Sequence, residues 1–352
     1  MAGRYVAYVG SYTYLGDSRG ITIYDVDVEN GKFAKKDEVE VNNASYMALS
    51  NDRKYLYSIA DEGIVTFKIL PDGCLEKIGS AGIRGMRGCF LSLDAANEYI
   101  FVAGYHDGKA TVLHMNQDRT VGAIADGMFD KGLGSVAERS HKPHISCTRL
   151  TPDEKYLCVA DLGIDQIKIF AFDKRTGKIS LKDVLRCELD SAPRHLMFSS
   201  DGRFMYLISE LKNYISVYTY DGSGKVPKFE LQQKISTVGA KCSSVSAACA
   251  IKFAPDEKYI MCSNAGDNSV GLFERNEETG LLTQRCVLPI SGEYPKDFGF
   301  FPDGRHIFSV NHDSDTLTFF NVNYEKGLIS MNQRPVKVDE PNCGLIVELP
   351  EE

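Results

Sequence analysis

Tryptophan is absent from the sequence, and the ten cysteines are scattered singly along the chain. A chain without tryptophan cannot carry periodic Trp-Asp dipeptides, which argues against a repeat scaffold of the WD40 type. No two cysteines form a Cys-x-x-Cys pair, which argues against zinc binding and thioredoxin-type redox chemistry. Because single, reduced thiols persist in the cytoplasm, we expect the protein to be cytoplasmic.

Long apolar runs and blocks of basic residues are also missing. The start of the chain, MAGRYVAYVG, does not resemble a secretory signal, and no later segment is apolar for long enough to suggest a membrane span. The formal net charge of −8, without a basic cluster, argues against nucleic acid as a partner. An anionic small-molecule substrate would therefore need a local basic pocket on an acidic background.

Familiar cofactor and catalytic motifs are missing as well. Glycine-rich segments occur, but none follows a strand and opens a helix, as dinucleotide binding requires. The chain has neither a Gly-x-Ser-x-Gly elbow nor a His-Glu-x-x-His zinc motif. We therefore expect no cofactor and no metal, although distant loops could still assemble a metal site.

One hairpin recurs through the whole chain. Each copy has a turn with an acidic or amide residue, a basic residue, a ring and then alternating apolar positions. The clearest copies are NDRKYLYSIAD (51–61), TPDEKYLCVAD (151–161), SSDGRFMYLIS (199–209), APDEKYIMCSN (254–264) and FPDGRHIFSVN (301–311). The ring recurs at intervals of 44 to 57 residues, at positions 5, 55, 99, 156, 204, 259 and 306. A period near fifty residues with only strand-like segments is typical of β-propeller blades.

The segments between the hairpins complete a four-stranded unit. QIKIFAFD (166–173) is a predicted third strand, and the turn KRTGKIS leads into a fourth. The chain begins with a second strand, RYVAYVGS (4–11), and ends with an unpaired apolar strand, NCGLIVEL (342–349), and pairing these two would remove exposed strand edges. We therefore predict an all-β protein, a single seven-bladed β-propeller domain over residues 1–352. Its blades are four-stranded and antiparallel, and the C-terminal strand closes the ring by pairing with the N-terminal blade.

The hairpin APRHLMFSSDGRFMYLISEL (192–211) carries charged residues at both of its ends. Because a hairpin returns the chain to its starting point, Arg194, His195 and Glu210 should lie together, away from the turn. An ion pair between Arg194 and Glu210 would fit a structural role and a catalytic role equally well, since ion pairs form at both kinds of site.

The same end of the propeller should receive most of the unusual residues of the chain. In a four-stranded blade, the turns between strands two and three and the crossovers to the next blade lie on one face, where ring-shaped folds hold ligands. The residues placed there are Arg87, His144, Arg194, His195, Lys296, Asp161, Glu210 and His312. Polar residues on such a rim are exposed by default, and Asp161 could simply accept hydrogen bonds from the backbone of its own turn.

Several segments resemble those of a known family. The most specific are KPHISCTRLTPDEKYLCVADLGIDQIKIF (142–170) and the hairpin at 192–211. YVGSYT (8–13), DGRHIFSVNHDSDTLTFFNV (303–322) and EPNCGLIVE (340–348) extend the likeness over essentially the whole chain. These segments resemble the lactonase family of seven-bladed β-propellers, which includes bacterial 6-phosphogluconolactonases and fungal carboxymuconate-lactonising enzymes.

The resemblance implies a catalytic site at the channel mouth with His144, Arg194 and Glu210. Around them we expect the substrate to meet His195, Lys296, Asp161, Arg87 and His312. Three positions depart from the family pattern, because Ser146 stands where the family has a histidine, and Ala265 and Lys296 stand where it has arginines. Losing an arginine weakens planar, bidentate recognition of a carboxylate or phosphate.

Lactone hydrolysis is therefore the first functional expectation, with a sugar lactone such as 6-phosphogluconolactone as the substrate. This substrate would place the protein in carbohydrate metabolism, in the pentose phosphate pathway. Glu210 or His144 would activate a water molecule, and Arg194, with His195, would stabilise the oxyanion. An ion pair with Arg194 would make Glu210 the weaker base. Two alternatives stay open, which are the cyclisation of a muconate-type diacid and a non-catalytic ligand-binding or scaffold propeller. The sequence does not set the oligomeric state.

Overall fold

The computed structural model describes residues 3–134, 141–240, 242 and 246–350. These residues form twenty-nine β-strands, and none of them forms a helix. The strands pair antiparallel in seven sheets, the blades of a seven-bladed β-propeller. With no helix in the described ranges, there is also no helical membrane span in them.

Blades 1 to 4 come from the first half of the chain and from its last strand. Blade 1 contains β1 (Tyr5–Ser11), β2 (Gly20–Asp27), β3 (Lys32–Glu40) and, as its innermost strand, β29 (Pro341–Glu348). Blade 2 contains β4 (Met47–Leu49), β5 (Tyr55–Ala60), β6 (Gly63–Ile69) and β7 (Leu75–Gly82). Blade 3 contains β8 (Phe90–Leu93), β9 (Tyr99–Gly104), β10 (Lys109–Met115) and β11 (Val121–Phe129). Blade 4 contains β12 (Ile145–Leu150), β13 (Tyr156–Asp161), β14 (Gln166–Asp173) and β15 (Lys178–Arg186).

Blades 5 to 7 follow in chain order. Blade 5 contains β16 (Pro193–Phe198), β17 (Phe204–Ser209), β18 (Tyr214–Asp221) and β19 (Lys228–Ser236). Blade 6 contains β20 (Ala248–Phe253), β21 (Tyr259–Asn264), β22 (Ser269–Arg275) and β23 (Leu282–Pro289). Blade 7 contains β24 (Pro295–Phe300), β25 (His306–Asn311), β26 (Thr316–Asn323) and β27 (Leu328–Met331), and the short β28 (Val336–Lys337) also pairs with β26.

The recurring turn explains why the hairpins form where the sequence predicts them. In each of five copies an aspartate Oδ1 accepts a hydrogen bond of 2.9–3.3 Å from the backbone N–H two residues later. The residue between them has a φ of 53–72°, and these residues are Arg53, Glu154, Gly202, Glu257 and Gly304. The aspartate therefore stabilises a left-handed turn that the backbone alone disfavours.

Burial depends on the position of a strand within its blade. Second strands such as β9, β13, β17 and β25 are buried along their whole length, whereas fourth strands such as β15 and β19 are largely exposed. Apolar clusters lie between neighbouring blades, and one of them joins blades 3, 4 and 5. None of the ten cysteines, all of which lie in the described ranges, is in a disulfide bond. The core is thus a series of interfaces between blades.

The two ends of the chain close the ring. β29 pairs antiparallel with β1, so that Val6 lies opposite Val347. β29 also contacts the inner strands β24 and β4 of the neighbouring blades. The predicted fold and its closure by the C-terminal strand are therefore confirmed.

Candidate active site at the channel mouth

The inner strands of the blades line a central channel. β4, β8, β12, β16, β20, β24 and β29 contact one another in ring order. β12, β16, β20 and β24 have six residues each and all enter from the face that receives the crossovers. The position of a residue along these strands therefore gives its depth in the channel.

A cavity of about 190 Å³ occupies this channel. Its basic and acidic lining residues come from four different blades, and they are Arg149, Arg194, His195, Lys252, Lys296 and Asp297. We call the second strand position, with Arg194 and Lys296, the mouth, and the fifth position, with Arg149 and Lys252, the floor. Four cations and one carboxylate in the lining make a basic pocket in an acidic protein.

Arg194 is held at the mouth by an ion pair with Glu210. Glu210 follows β17 directly, and its backbone N–H donates to the carbonyl oxygen of Ala192 over 2.8 Å, so the hairpin brings both ends together. Glu210 is 1% exposed. Although burial opposes the charge, Cys249 and Glu210 raise the pKa of Arg194 above its ordinary value. Arg194 is therefore a permanently charged, fixed donor.

His195 lies next to Arg194 but is held in the opposite charge state. Its ring packs 5.1 Å from the ring of Phe90 and 6.3 Å from that of Tyr46. Burial, followed by the nearby charges of Arg194, Arg149 and Lys252, lowers the pKa of His195 well below its usual value. The imidazole is thus neutral at pH 7.

Lys296 faces Arg194 across the mouth. Its Nζ donates to Asn342 Oδ1 over 2.8 Å and lies 4.7 Å from the ring centroid of Tyr12. Burial, with a further contribution from Arg194, lowers the pKa of Lys296 to about 8. The ammonium group is therefore mostly charged at pH 7 and loses its proton within the range in which enzymes are assayed.

Arg87 and His312 lie behind the cavity wall and contact it through Tyr12. The Arg87 guanidinium lies 4.8 Å from the Tyr12 ring centroid and forms a 2.8 Å ion pair with Asp61. The His312 ring lies 5.5 Å from the Tyr12 ring, edge to face. Both predicted substrate-binding residues are therefore near the mouth, but Tyr12 separates them from the cavity.

His144 lies on the same rim, one residue before β12, and outside the cavity lining. Its ring stacks on that of Tyr105 at 4.2 Å, and its Nδ1 donates to the carbonyl oxygen of Tyr105 over 2.7 Å. This bond leaves Nε2 as the acceptor. Burial lowers the pKa of His144.

Ser146 occupies a position where the family pattern has a histidine. Its hydroxyl donates to the carbonyl oxygen of Arg194 over 2.8 Å and so joins the starts of β12 and β16.

Asp161 is fully buried and does not line the cavity. Its Oδ1 accepts hydrogen bonds from the backbone N–H groups of His144 and Gly163, over 2.8 and 2.9 Å. We therefore assign Asp161 to positioning the His144 backbone rather than to substrate contact, because an interior carboxylate cannot reach a ligand in the channel. Ala265 is 1% exposed and adds no charge to the rim.

Sequence reasoning missed Arg149, Lys252 and Tyr12. Arg149 and Lys252 each stand two residues before the recurring turn, where blade 5 has Met197. A charged residue at an apolar position of the repeat was the signal that could have identified them. Nothing in the sequence marked Tyr12 in this way. Its importance comes from its contacts with Arg87 and Lys296, which belong to different blades and are far from it in sequence.

The comparisons with known proteins concern the family and the fold. A sequence model of the lactonase family, described as a 7-bladed beta-propeller, matches residues 6–346. A 6-phosphogluconolactonase of Bacillus subtilis is 27% identical over 346 residues, which cover 97% of each chain. The structure of a periplasmic gluconolactonase of Pseudomonas aeruginosa has a TM-score of 0.92 at 25% identity, over 99% of this chain and 100% of the other. A protein from Lactobacillus plantarum has a TM-score of 0.89 at 28% identity, over 98% and 100%. The chain therefore belongs to the lactonase family of seven-bladed β-propellers.

Proposed function

We propose that this protein hydrolyses a sugar lactone in the channel cavity, with 6-phosphogluconolactone as the foremost candidate. The observation that carries the proposal is Arg194, a charged donor held at the mouth of a basic cavity by the buried Glu210. The family and the Bacillus subtilis relative support lactone chemistry. This substrate would place the enzyme in the pentose phosphate pathway, and the free thiols fit the cytoplasm.

The reaction needs water, a base and a donor for the oxyanion. Water attacks the lactone carbonyl carbon, and its proton passes to the base. Arg194 and the charged form of Lys296 stabilise the negative charge that develops on the carbonyl oxygen. The ring C–O bond then breaks, the ring oxygen takes up a proton as a hydroxyl group, and the product is a carboxylate. No redox step is involved.

His144 is the better candidate for the base, and because it lies on the rim outside the cavity lining, the water that it activates must bind at the mouth. Its Nε2 keeps a free lone pair because Nδ1–H is donated to Tyr105, and the lowered pKa keeps the ring neutral. Glu210 is bound to Arg194 and nearly inaccessible, so its role is to position the guanidinium. His195 lines the cavity as a neutral hydrogen-bonding group beside the oxyanion site.

Cyclisation of a muconate-type diacid is the second candidate, and one observation favours it. Such a substrate needs several cations for its carboxylates, and the floor supplies Arg149 and Lys252 in addition to the predicted mouth residues. We rank it second because two arginines of the family pattern are missing. Ala265 stands in place of one and carries no charge, and Lys296 stands in place of the other.

The decisive experiment is hydrolysis of 6-phosphogluconolactone, corrected for spontaneous opening. Arg194→Ala should lower kcat about 10²–10³-fold, the usual loss when one oxyanion donor is removed. His144→Gln should lower kcat with little change in KM, and Glu210→Gln should lower it because Arg194 loses its charged partner.

The control is Glu188→Gln, which changes an exposed carboxylate in the connection between blades 4 and 5 that pairs with Lys234. This variant should retain full activity. A wild-type rate equal to the blank would reject this substrate, and an unimpaired Arg194→Ala variant would reject the site.

A further inference from the structure

The floor of the cavity carries charge that lactone opening at the mouth does not use. Arg149 is the fifth residue of β12 and Lys252 the fifth residue of β20, while Arg194 and Lys296 are the second residues of their strands. Three residues along a regular strand span about 10 Å, and less along these four strands because each has a bulge near its start. The floor therefore lies deeper in the channel than the mouth, within the same cavity.

Arg149 has no carboxylate partner among the residues that the structure describes. Its guanidinium lies 5.5 Å from the ring centroid of Phe90, and its Nε is buried without a hydrogen-bond partner in the described ranges. Arg149 also borders a depression that includes Thr151 and Ser199 of the recurring turns, so it lies at the boundary between the cavity and the opposite face. Arg149 is half-buried and its guanidinium hydrogen-bonds to Cys147, so without a carboxylate its charge is left for an anion in the cavity to compensate.

Further donors face the same space. Lys252 forms a 2.7 Å ion pair with Asp297 and donates to the carbonyl oxygen of Phe298, which leaves one ammonium hydrogen for another acceptor. His195 and Tyr46 line the cavity, and neither the His195 ring nor the Tyr46 hydroxyl has a hydrogen-bond partner within the described part of the chain. Four types of donor, from blades 2, 4, 5 and 6, thus surround one volume.

The charge of the site suits a ligand that is anionic at both ends. Glu210 pairs with Arg194 and Asp297 with Lys252, which leaves Arg149 on the floor and Lys296 at the mouth as the uncompensated cations of the lining. A phosphate on the floor and a carboxylate at the mouth, as in 6-phosphogluconate, would each meet one of these two charges. A tetrahedral dianion also offers enough oxygens to accept from Arg149, Lys252, His195 and Tyr46 together.

We propose that Arg149 and Lys252, with His195 and Tyr46, form a phosphate-binding floor that selects phosphorylated lactones. The placement of the lactone carbonyl at Arg194 rests on the proposed function, but the phosphate site itself can be tested without turnover. Arg149 is then a specificity-determining residue that contacts the distal end of the substrate.

Calorimetric binding of reaction products tests the floor directly. The wild type should bind 6-phosphogluconate at least about tenfold more tightly than gluconate, since the two differ only in the phosphate. Arg149→Gln should weaken 6-phosphogluconate binding by at least about tenfold more than it weakens gluconate binding. Arg149→Lys should recover part of the loss, and Arg186→Gln, an exposed arginine of the same blade, is the matched control.

The outcomes separate this proposal from the proposed function. Loss of both ligands to the same extent in a folded Arg149→Gln protein would overturn the floor, whether or not the wild type hydrolyses lactones. Tighter binding of a muconate-type diacid than of 6-phosphogluconate would also overturn it, in favour of carboxylates. Selective loss of 6-phosphogluconate, in a protein that hydrolyses no lactone, would support the phosphate site and reject the lactonase.

Discussion

At the scale of single residues, the site holds neighbouring basic groups in different charge states. Arg194 is charged because Glu210 and Cys249 stabilise its guanidinium. His195, the next residue, is neutral because burial and three nearby cations oppose its protonation. Lys296 lies between these extremes, with a pKa lowered to about 8. A cavity of this kind offers fixed charge, a neutral imidazole and one group that titrates near the working pH.

Lys296 gives a prediction for the pH dependence of ligand binding. Because its folded pKa is about 8, the ammonium form dominates below pH 8 and is lost above it. The protonated fraction falls about tenfold between pH 7 and pH 9. The affinity for 6-phosphogluconate should fall by up to about the same factor over this range, as measured by calorimetry.

Lys296→Arg should remove this loss, because a guanidinium stays charged at pH 9. Lys296→Met should bind weakly at every pH. An affinity in the wild type that is constant from pH 7 to pH 9 would show that Lys296 does not contact the anion.

At the scale of strands and connections, buried carboxylates hold the rim in place. Asp130 follows β11, and its Oδ1 pairs with Lys168 of β14. Its carboxylate faces that of Asp161 at the end of β13, and the Oδ2 atoms of both have no other hydrogen-bond partner in the described ranges. Burial and the neighbouring Asp130 raise the pKa of Asp161 to about 7, so Asp161 keeps its proton in acid and shares it with Asp130 in a hydrogen bond. This pair ties the ends of blades 3 and 4 beneath His144.

The acid pair predicts how stability changes with pH. The folded pKa of Asp161 is raised above its ordinary value of 3.8, so its favourable contribution is complete below about pH 4 and is lost as the pH rises through 7. Asp161→Asn cannot ionise and can donate to Asp130. The free energy of unfolding of this variant, relative to wild type, should therefore increase from pH 4 to pH 8 in urea denaturation.

Asp165→Asn is the control for this prediction. Both carboxylate oxygens of Asp165 accept backbone N–H groups, from Ala192 and Asp190, over 2.8 Å each. An amide cannot accept both bonds, so this variant should be destabilised at neutral pH. If Asp161→Asn were destabilised equally at pH 5.5 and pH 8, the shared proton would be excluded.

At the scale of the whole molecule, the ring determines where the charges meet. The protein has a net charge of −8, yet the channel lining contains four cations from blades 4, 5, 6 and 7. Each of these cations comes from an inner strand, and the inner strands converge only because β29 and β1 close the ring. The site thus depends on a pairing between residues more than three hundred positions apart.

Closure predicts the effect of a charge in the pairing strand. Val347 of β29 is 1% exposed and packs in a cluster with Val6 and Leu349. Val347→Asp would bury an unpaired carboxylate and should lower the free energy of unfolding by about 3–5 kcal/mol. The matched control is Leu328→Asp, at a position of β27 that is 58% exposed, and it should unfold like wild type. Equal stability of the two variants in urea denaturation would mean that the closing strand contributes little.

The sequence by itself determined the blades, because turn chemistry and strand alternation are local signals that recur every 44 to 57 residues. It also predicted the neighbourhood of Arg194, His195 and Glu210, since one hairpin contains all three. Its unpaired last strand predicted how the ring closes. These features need only short-range pairing and the avoidance of free strand edges.

Only the tertiary structure decided which side chains share the channel. Arg149 and Lys252 are far apart in sequence and meet in the cavity because strands from different blades converge there. Asp161 is a polar residue next to a turn, so the sequence predicted that it would be exposed. The packing of blades 3 and 4 buries it instead. Local patterns specify each blade and can mark a single charged position such as Arg149, but which charges share one cavity is decided by the packing of different blades, and no short-range signal in the sequence records that.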